Sequence, residues 1–238
     1  MTRLEQIFSS AELRAVLAPL AGPRGRPVLV LVGGAGGMDA EQEGAVRAVF
    51  ADQVVPVLAS TGAVVVDGGT DSGVMRAMGT AHHAAGGTFP LVGVVARGCV
   101  TLPDEGFPGD AAPDAAAVDR HHDLVLVVPG QTWGDESRWL DEAATALAQG
   151  RPSVTLVVNG GPIALDDVAL SLARGRPVVV LAGTGRLADD VATADASSAA
   201  AVRQVAESPL THLVRPGDDD GALGAVLRTT LARERDAS

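Results

Sequence analysis

The residues in this chain best placed to do chemistry lie in glycine-rich turns, each directly after a short apolar run. The fullest is Gly68-Gly69-Thr70-Asp71-Ser72-Gly73, which follows Ala63–Val66 and Asp67 and leads into a helical pattern carrying Val74, Met75 and Met78. Glycine has no Cβ, so a ligand can come close to the main chain, and the unpaired N–H groups that open a helix favour an anion such as a phosphate. The plainer reading of the same turn is a tight corner in which Thr70 or Ser72 caps the helix, and the two roles are compatible. Similar turns recur at Gly33-Gly34-Ala35-Gly36-Gly37, at Asn159-Gly160-Gly161-Pro162 and at Gly183-Thr184-Gly185-Arg186. Recurrence is the argument, because one such turn alone is a weak signal.

The first turn has the glycine density of a dinucleotide-binding loop, with Gly33, Gly34 and Gly36 as candidate contacts, but its spacing is not GxGxxG, which counts against a nicotinamide dehydrogenase. A Walker loop is excluded outright, since the chain has no lysine. The turn Pro129-Gly130-Gln131-Thr132-Trp133-Gly134-Asp135-Glu136-Ser137-Arg138 adds ionisable groups. Here Glu136 and Asp135 either complement a helix N-terminus or serve a ribose hydroxyl or a glycosidic bond, and Arg138 is a candidate phosphate ligand. In the last turn Arg186 either neutralises an anion wrapped by the amides of Gly183, Thr184 and Gly185, or pairs with Asp189 or Asp190. Proline at 162 suits the first turn of a helix.

Other reactive types carry less. Adjacent His121 and His122, read as the approach to a strand, point to opposite faces and do not share a metal ion easily. His82 and His83 are read as surface or packing residues, and Cys99 as an inert small residue without an identifiable base. A single cysteine allows no intrachain disulfide and no cysteine-based zinc cluster, and it fits a reducing, cytoplasmic compartment. No metal and no resident cofactor is called for.

These turns need a scaffold. The 238 residues are 47% hydrophobic and 20% charged, ordinary usage for a folded chain, with a formal net charge of −11 in which all 18 basic residues are arginine. Such an acidic surface argues against non-specific binding to nucleic acid or anionic membranes. No apolar stretch is long enough to span a bilayer. The runs Pro27–Val32, Ala63–Val66, Leu91–Ala96, Asp123–Val128, Ser153–Val158 and Pro177–Ala182 are short, valine-rich and continuous, as strands covered on both faces are. Helical patterns separate most of them, at Ala40–Ser60, Gly73–Ala85, Glu136–Gln149, Ile163–Arg174 and Leu187–Val205. This alternation predicts an α/β fold: a doubly wound, mainly parallel sheet of about seven strands flanked by helices, the seventh being Thr211–Val214 before a closing helix from Gly221 to Arg233.

One domain is expected over 1–238. Residues 1–22 read as an amphipathic helix, with Ser10 a candidate cap, that either supports self-association or covers the sheet of its own chain. Thr101–His122, with three prolines, reads as a long surface loop, either a tolerated insertion or a ligand lid. In an open parallel sheet all strand-to-helix turns leave at one edge, so the glycine turns are expected to converge.

Five ordered segments, VVDGGTDSGVM, HHDLVLVV, TWGDE, VVNGGP and PVVVLAGTGRLADDVA, resemble the SLOG superfamily and within it the LSDAT group, which includes the cytoplasmic N-terminal region of melastatin-type TRP channels and free-standing prokaryotic members. The resemblance runs from Pro27 to Ala192. It implies a Rossmann-like sheet that binds nucleotide-derived ligands, ADP-ribose being the best-known type, and points to Gly68, Gly69, Thr70, Gly73, Gly134, Glu136, Arg138, Asn159, Gly160, Gly183, Gly185, Arg186 and Asp189. The resemblance to prokaryotic ligand sensors implies an effector protein, since no pore, nuclease or transmembrane effector is read in this sequence. Lonely-guy-type phosphoribohydrolases share the superfamily and use a PGGxGTxxE loop. Here Pro129, Gly130 and Glu136 remain while the middle differs, and Trp133 is available to stack on an adenine.

Overall fold

A computed structural model describes residues 2–34, 36, 38–102, 112–215 and 221–232. Its centre is one eight-stranded, all-parallel sheet in the order β1-β7-β4-β3-β2-β8-β9-β10. The strands are β1 (Arg3–Gln6), β2 (Val28–Gly33), β3 (Val64–Asp67), β4 (Leu91–Ala96), β7 (Leu124–Val128), β8 (Ser153–Val158), β9 (Val178–Leu181) and β10 (Thr211–Val214), while β5 (Val100–Thr101) and β6 (Ala116–Ala117) pair separately. The helices are α1 (Ser10–Ala21), α2 (Ala40–Val49), α3 (Val55–Thr61), α4 (Gly73–Ala84), α5 (Ser137–Ala148), α6 (Pro162–Ala173), α7 (Arg186–Ala192), α8 (Ala200–Ala206) and α9 (Ala222–Ala232).

Both faces of the sheet are covered, which is why its strands read as continuous valine runs. Along β2, Val28, Val30 and Val32 join a core with Leu17, Leu147, Val168 and Val202 from α1, α5, α6 and α8, whereas Leu29 and Leu31 join the opposite core with Phe50, Met78 and Leu227. Successive strand residues point to opposite faces, so the alternation of partners follows from the pleat. A π-helical turn at Phe50–Val54 links α2 to α3 just before Pro56. Proline removes a backbone donor and crowds the preceding turn, and the widened turn absorbs both.

From β2 the chain steps through β3 and β4 to β7 on one side, then crosses back to lay β8 against the other flank of β2 and continues to β9 and β10. Counted in chain order from β2, the stretch β7-β4-β3-β2-β8-β9-β10 reads 4-3-2-1-5-6-7, the dinucleotide-fold pattern with one strand more on its first side. Strand order therefore reverses between β2 and β8, which run level as far as Gly33 opposite Val158. Their following segments then diverge to opposite faces of the sheet, α2 to one and α6 to the other.

Three expectations change. Residues 3–6 form an edge strand paired in parallel with β7, so the N-terminal helix is shorter than 1–22, and it is Ser9 that caps it by accepting from the Glu12 amide. That helix buries Leu13, Leu17 and Ala21 within its own chain, so its apolar face is used. The helix expected over Leu187–Val205 is two, α7 and α8, split where Asp195 accepts from the amide and hydroxyl of Ser197, a local turn that competes with helix. Within Thr101–His122, residues 103–111 lie outside the described residues. The described remainder is stitched to the sheet: β6 pairs with β5, Asp71 N–H donates to Ala117, and Asp119 N–H donates to Gly69.

Candidate functional site

The switch point between β2 and β8 opens into a cleft of about 290 Å³. Of the sequence-predicted residues, Gly33, Gly34, Gly36, Gly68, Thr70, Glu136, Gly161 and Arg186 line it. They come from five separate turns, so the turns do converge. The rest of the wall is mostly apolar, with Leu31, Met75, Leu140, Ile163 and Trp133, and one further acid, Asp167 of α6.

Close backbone approach explains the glycines. A Cβ on Gly34 would stand 2.5 Å from Asn159 Oδ1 and 2.8 Å from the Gly36 carbonyl, whereas one on Gly36 would meet nothing within 4 Å. Over the turn after β8 lies Arg186, whose Nη2 would be 2.6 Å from a Cβ on Gly161 and whose Nη1 donates to the Gly36 carbonyl at 3.1 Å. Arg186 thus reaches from its own turn across Gly161 to the first. It does so from a left-handed backbone, φ 51°, a strained conformation for a residue with a Cβ. Among the described residues its guanidinium makes no ion pair, so the pairing with Asp189 or Asp190, the alternative reading, does not form.

Asp189 has a different task. Its Oδ1 accepts from Gly183 N–H at 2.5 Å and its Oδ2 from Gly185 N–H at 3.1 Å, so the amides expected to wrap a ligand anion already hold the chain's own carboxylate. Asn159 and Thr184 are fasteners too: Asn159 N–H donates to Thr184 Oγ1, its side-chain amide donates to the Thr184 carbonyl, and its Oδ1 accepts from Gly160 N–H. Gly183, Thr184, Gly185, Asn159, Gly160 and Asp189 therefore form the framework that holds Arg186 and Gly161 in place. The same substitution of self for ligand occurs in the turn after β7, where Asp135 Oδ2 accepts from the amides of Gln131 and Thr132, which lowers its pKa. Arg138 is also a correction: it is exposed and lies over the Trp139 ring at 5.3 Å, outside the cleft wall.

In the Gly68–Gly73 turn only Gly68 and Thr70 face the cleft. Gly69, at φ 62°, packs its Cα region on Gly93, Asp71 is exposed, and Ser72 precedes Gly73 at the start of α4 without a side-chain cap bond, its hydroxyl lying 3.0 Å from that of Thr70. Behind this turn is a cluster that the sequence reading left out. His122, fully buried, stands 2.8 Å from Asp67 Oδ1 and 3.2 Å from Asp119 Oδ1, and Asp67 Oδ1 also accepts from Gly69 N–H. Burial opposes the charge on His122, but the two carboxylates outweigh it and push its pKa up to about 9. A glycine at 93 leaves the passage, since a Cβ there would be 3.2 Å from the His122 ring. His82 is likewise buried, against the Phe89 carbonyl and Asp123, and His83 stacks on His121 at 4.8 Å.

Two acids sit in the cleft wall. Glu136 is held by its Oε2 accepting from Gly134 N–H at 3.0 Å, and burial raises its pKa. Asp167 is raised to about 7, by burial first and then by the negative charges of Glu136, Asp166 and Asp141, against one side-chain hydrogen bond from Ser137. Cys99 is buried, and burial with Glu136 and Asp135 pushes its thiol up to about 11, so it is not a thiolate nucleophile.

An all-parallel doubly wound sheet with a ligand-sized cleft at its switch point defines a Rossmann-like α/β protein. A solved structure of similar fold is the molybdenum cofactor carrier protein of Chlamydomonas reinhardtii, 18% identical with a TM-score of 0.55, the match covering 87% of this chain and 99% of that one. No curated protein matches the sequence. The family model described as "SLOG in TRPM, prokaryote", LSDAT, matches residues 26–222, and the chain belongs to that family. No helix among the described residues is long and apolar enough to cross a membrane.

Proposed function

We propose that this chain is a binding and sensing domain for a nucleotide-derived ligand such as ADP-ribose or an NAD-related compound, seated in the switch-point cleft. The observation that carries this reading is Arg186, strained, without an acidic partner among the described residues, and held over Gly161 beside the first glycine turn. A guanidinium kept in that position at a cost in backbone strain suits the phosphate of a ligand whose flatter part lies on the apolar wall near Trp133. The similarity in fold to a carrier of a small cofactor is compatible with the same use of the cleft. Output would pass to an effector protein, in a reducing, cytoplasmic setting that fits the buried thiol of Cys99.

A thermal-shift panel of ADP-ribose, NAD, AMP and cyclic dinucleotides tests the reading. A ligand at 100 times its dissociation constant adds about 2.7 kcal/mol. For a chain of this size that is a rise in Tm on the order of 5–11 °C. Flat melts across the panel overturn it.

One observation favours a second reading, cleavage of a base from a ribose phosphate. Glu136 is buried in the cleft with its pKa raised, as an acid–base group at a glycosidic bond is. Free base released from AMP, and lost in Glu136→Gln, would establish that activity.

A further inference from the structure

Asp167 Oδ1 is buried and has no hydrogen-bond partner, although its carboxyl takes one hydrogen bond from Ser137 and lines the cleft. A buried polar atom left unpaired is costly, and at a cleft wall it marks where a ligand atom completes the set. The two ends of this cleft differ in sign. Arg186 is exposed at the mouth, whereas Glu136 and Asp167 lie within, among Leu140 and Ile163. A phosphate is repelled from the inner end. The part of the ligand that reaches it is uncharged and carries polar edge atoms.

We propose that Asp167 is the specificity-determining residue of the cleft and pairs with a nucleobase edge that sets a hydrogen-bond donor beside an acceptor, as the amidine edge of adenine does, the unpartnered Oδ1 carrying the proton it donates and the other oxygen accepting with its second lone pair. This rests on the nucleotide reading of the cleft. A neutral carboxyl offers both a donor and an acceptor, so it matches that edge, while an ionised one offers acceptors only. The surroundings keep the proton on near neutral pH. The group faces Glu136, just before α5, and Asp141 on α5, the latter shared between Arg174 and Arg176, and beside it on α6 is Asp166. Other charges on the elements packed against α6 are engaged or turned outward: Asp189 with its amides, Arg138 over Trp139, Glu142 with Ser10 and Arg14, Arg203 with the Ser198 carbonyl, Asp190 in solvent. Strands β2, β8 and β9 carry no ionisable side chain.

The test is titration calorimetry on the full chain with AMP and with purine riboside 5′-monophosphate, which lacks the amino group, from pH 6 to pH 8.5. The wild-type chain is expected to favour AMP over the analogue about tenfold, the worth of one hydrogen bond. Its AMP affinity relative to that of Asp167→Asn should fall about tenfold as pH rises, because the amide stays neutral and the carboxyl does not. Comparing the two chains cancels titration of the ligand phosphate. In Asp167→Leu the preference for AMP should vanish, and the isosteric Asn variant carries the test if the Leu variant fails to fold. A wild-type to Asn ratio that stays level with pH, or a preference for AMP that survives in Asp167→Leu, overturns the assignment while leaving the nucleotide reading intact. If neither compound binds at any pH, the nucleotide reading falls and this inference falls with it.

Discussion

The turns after β7 and β9 are as rich in glycine and amides as those after β2 and β3, yet they are put to opposite use. In the first pair, Asp135 and Asp189 fill the amide pockets with the chain's own carboxylates. In the second pair Asp67 holds the Gly69 amide alone, no acid plays that part toward Gly34, Gly36 or Gly68 among the described residues, and these three glycines face the cleft. A glycine-rich turn is therefore not an anion site by its composition. What decides is whether an internal acceptor, placed a few residues further on, has already taken the amides.

The comparison can be broken most severely through the charge that backs the open turn after β3. Replacing His122 by leucine leaves Asp67 and Asp119 facing each other in the interior, and a loss of about 3–5 kcal/mol in urea unfolding is expected. The wild-type protein shows the same interaction through pH. The pKa of His122 is about 9 in the folded chain, above the ordinary histidine value, so its contribution is complete below about pH 6.5 and is lost as pH rises through about 9. The unfolding midpoint should drop across that window in the wild type, and a conservative His122→Gln variant should lack that drop. Parallel profiles would remove the charged cluster from the account.

Next in size is Gly34→Ala, which drives a methyl group onto Asn159 and the Gly36 carbonyl and should weaken binding of a responding nucleotide by about a hundredfold. Gly36→Ala, with open space around its Cβ, is the contrast and should change affinity less than threefold or so. Equal effects would mean the first turn does not contact ligand.

Asp189→Ala empties a filled turn. A loss of about 1–3 kcal/mol is expected from the two released amides. Sulfate should then raise the Tm of this variant more than that of the wild type, because the vacated N–H groups become an anion site. If sulfate acts equally on both, the amides of Gly183 and Gly185 were not held by Asp189 in solution.

The smallest effect separates strain from function at Arg186. Arg186→Gly relieves the left-handed backbone and should raise stability by about 1 kcal/mol in chemical denaturation. Affinity should fall about tenfold in the same variant. Loss of both would make Arg186 a structural clamp between the turns.

Much of this was legible in the residues. Valine-rich runs at regular spacing gave β2, β3, β4, β7, β8 and β9 within a residue or so, because a strand buried on both faces must be apolar throughout. That Gly33, Gly34, Gly68, Thr70, Gly161 and Arg186 would meet at one cleft was legible because the turns at the carboxyl ends of an open parallel sheet leave at a single edge. The edge strand β1 was missed because Arg3-Leu4-Glu5-Gln6, followed by Ile7 and Phe8, carries a helical spacing as well as an alternating one. The break between α7 and α8 did have a local signal, Asp195-Ala196-Ser197-Ser198, which forms turns readily.

Sequence alone determined the layered α/β architecture and which turns would gather at one edge, since burial pattern and turn chemistry are local properties read within about ten residues. Only the tertiary structure decided which amides the chain's own carboxylates hold, that Arg138 lies away from the cleft while Asp167 enters it, and that His122 joins Asp67 across 55 positions of chain. Those outcomes depend on distances between residues far apart in sequence, and a carboxylate or imidazole has no role until packing fixes which partner it faces and how much water remains around it.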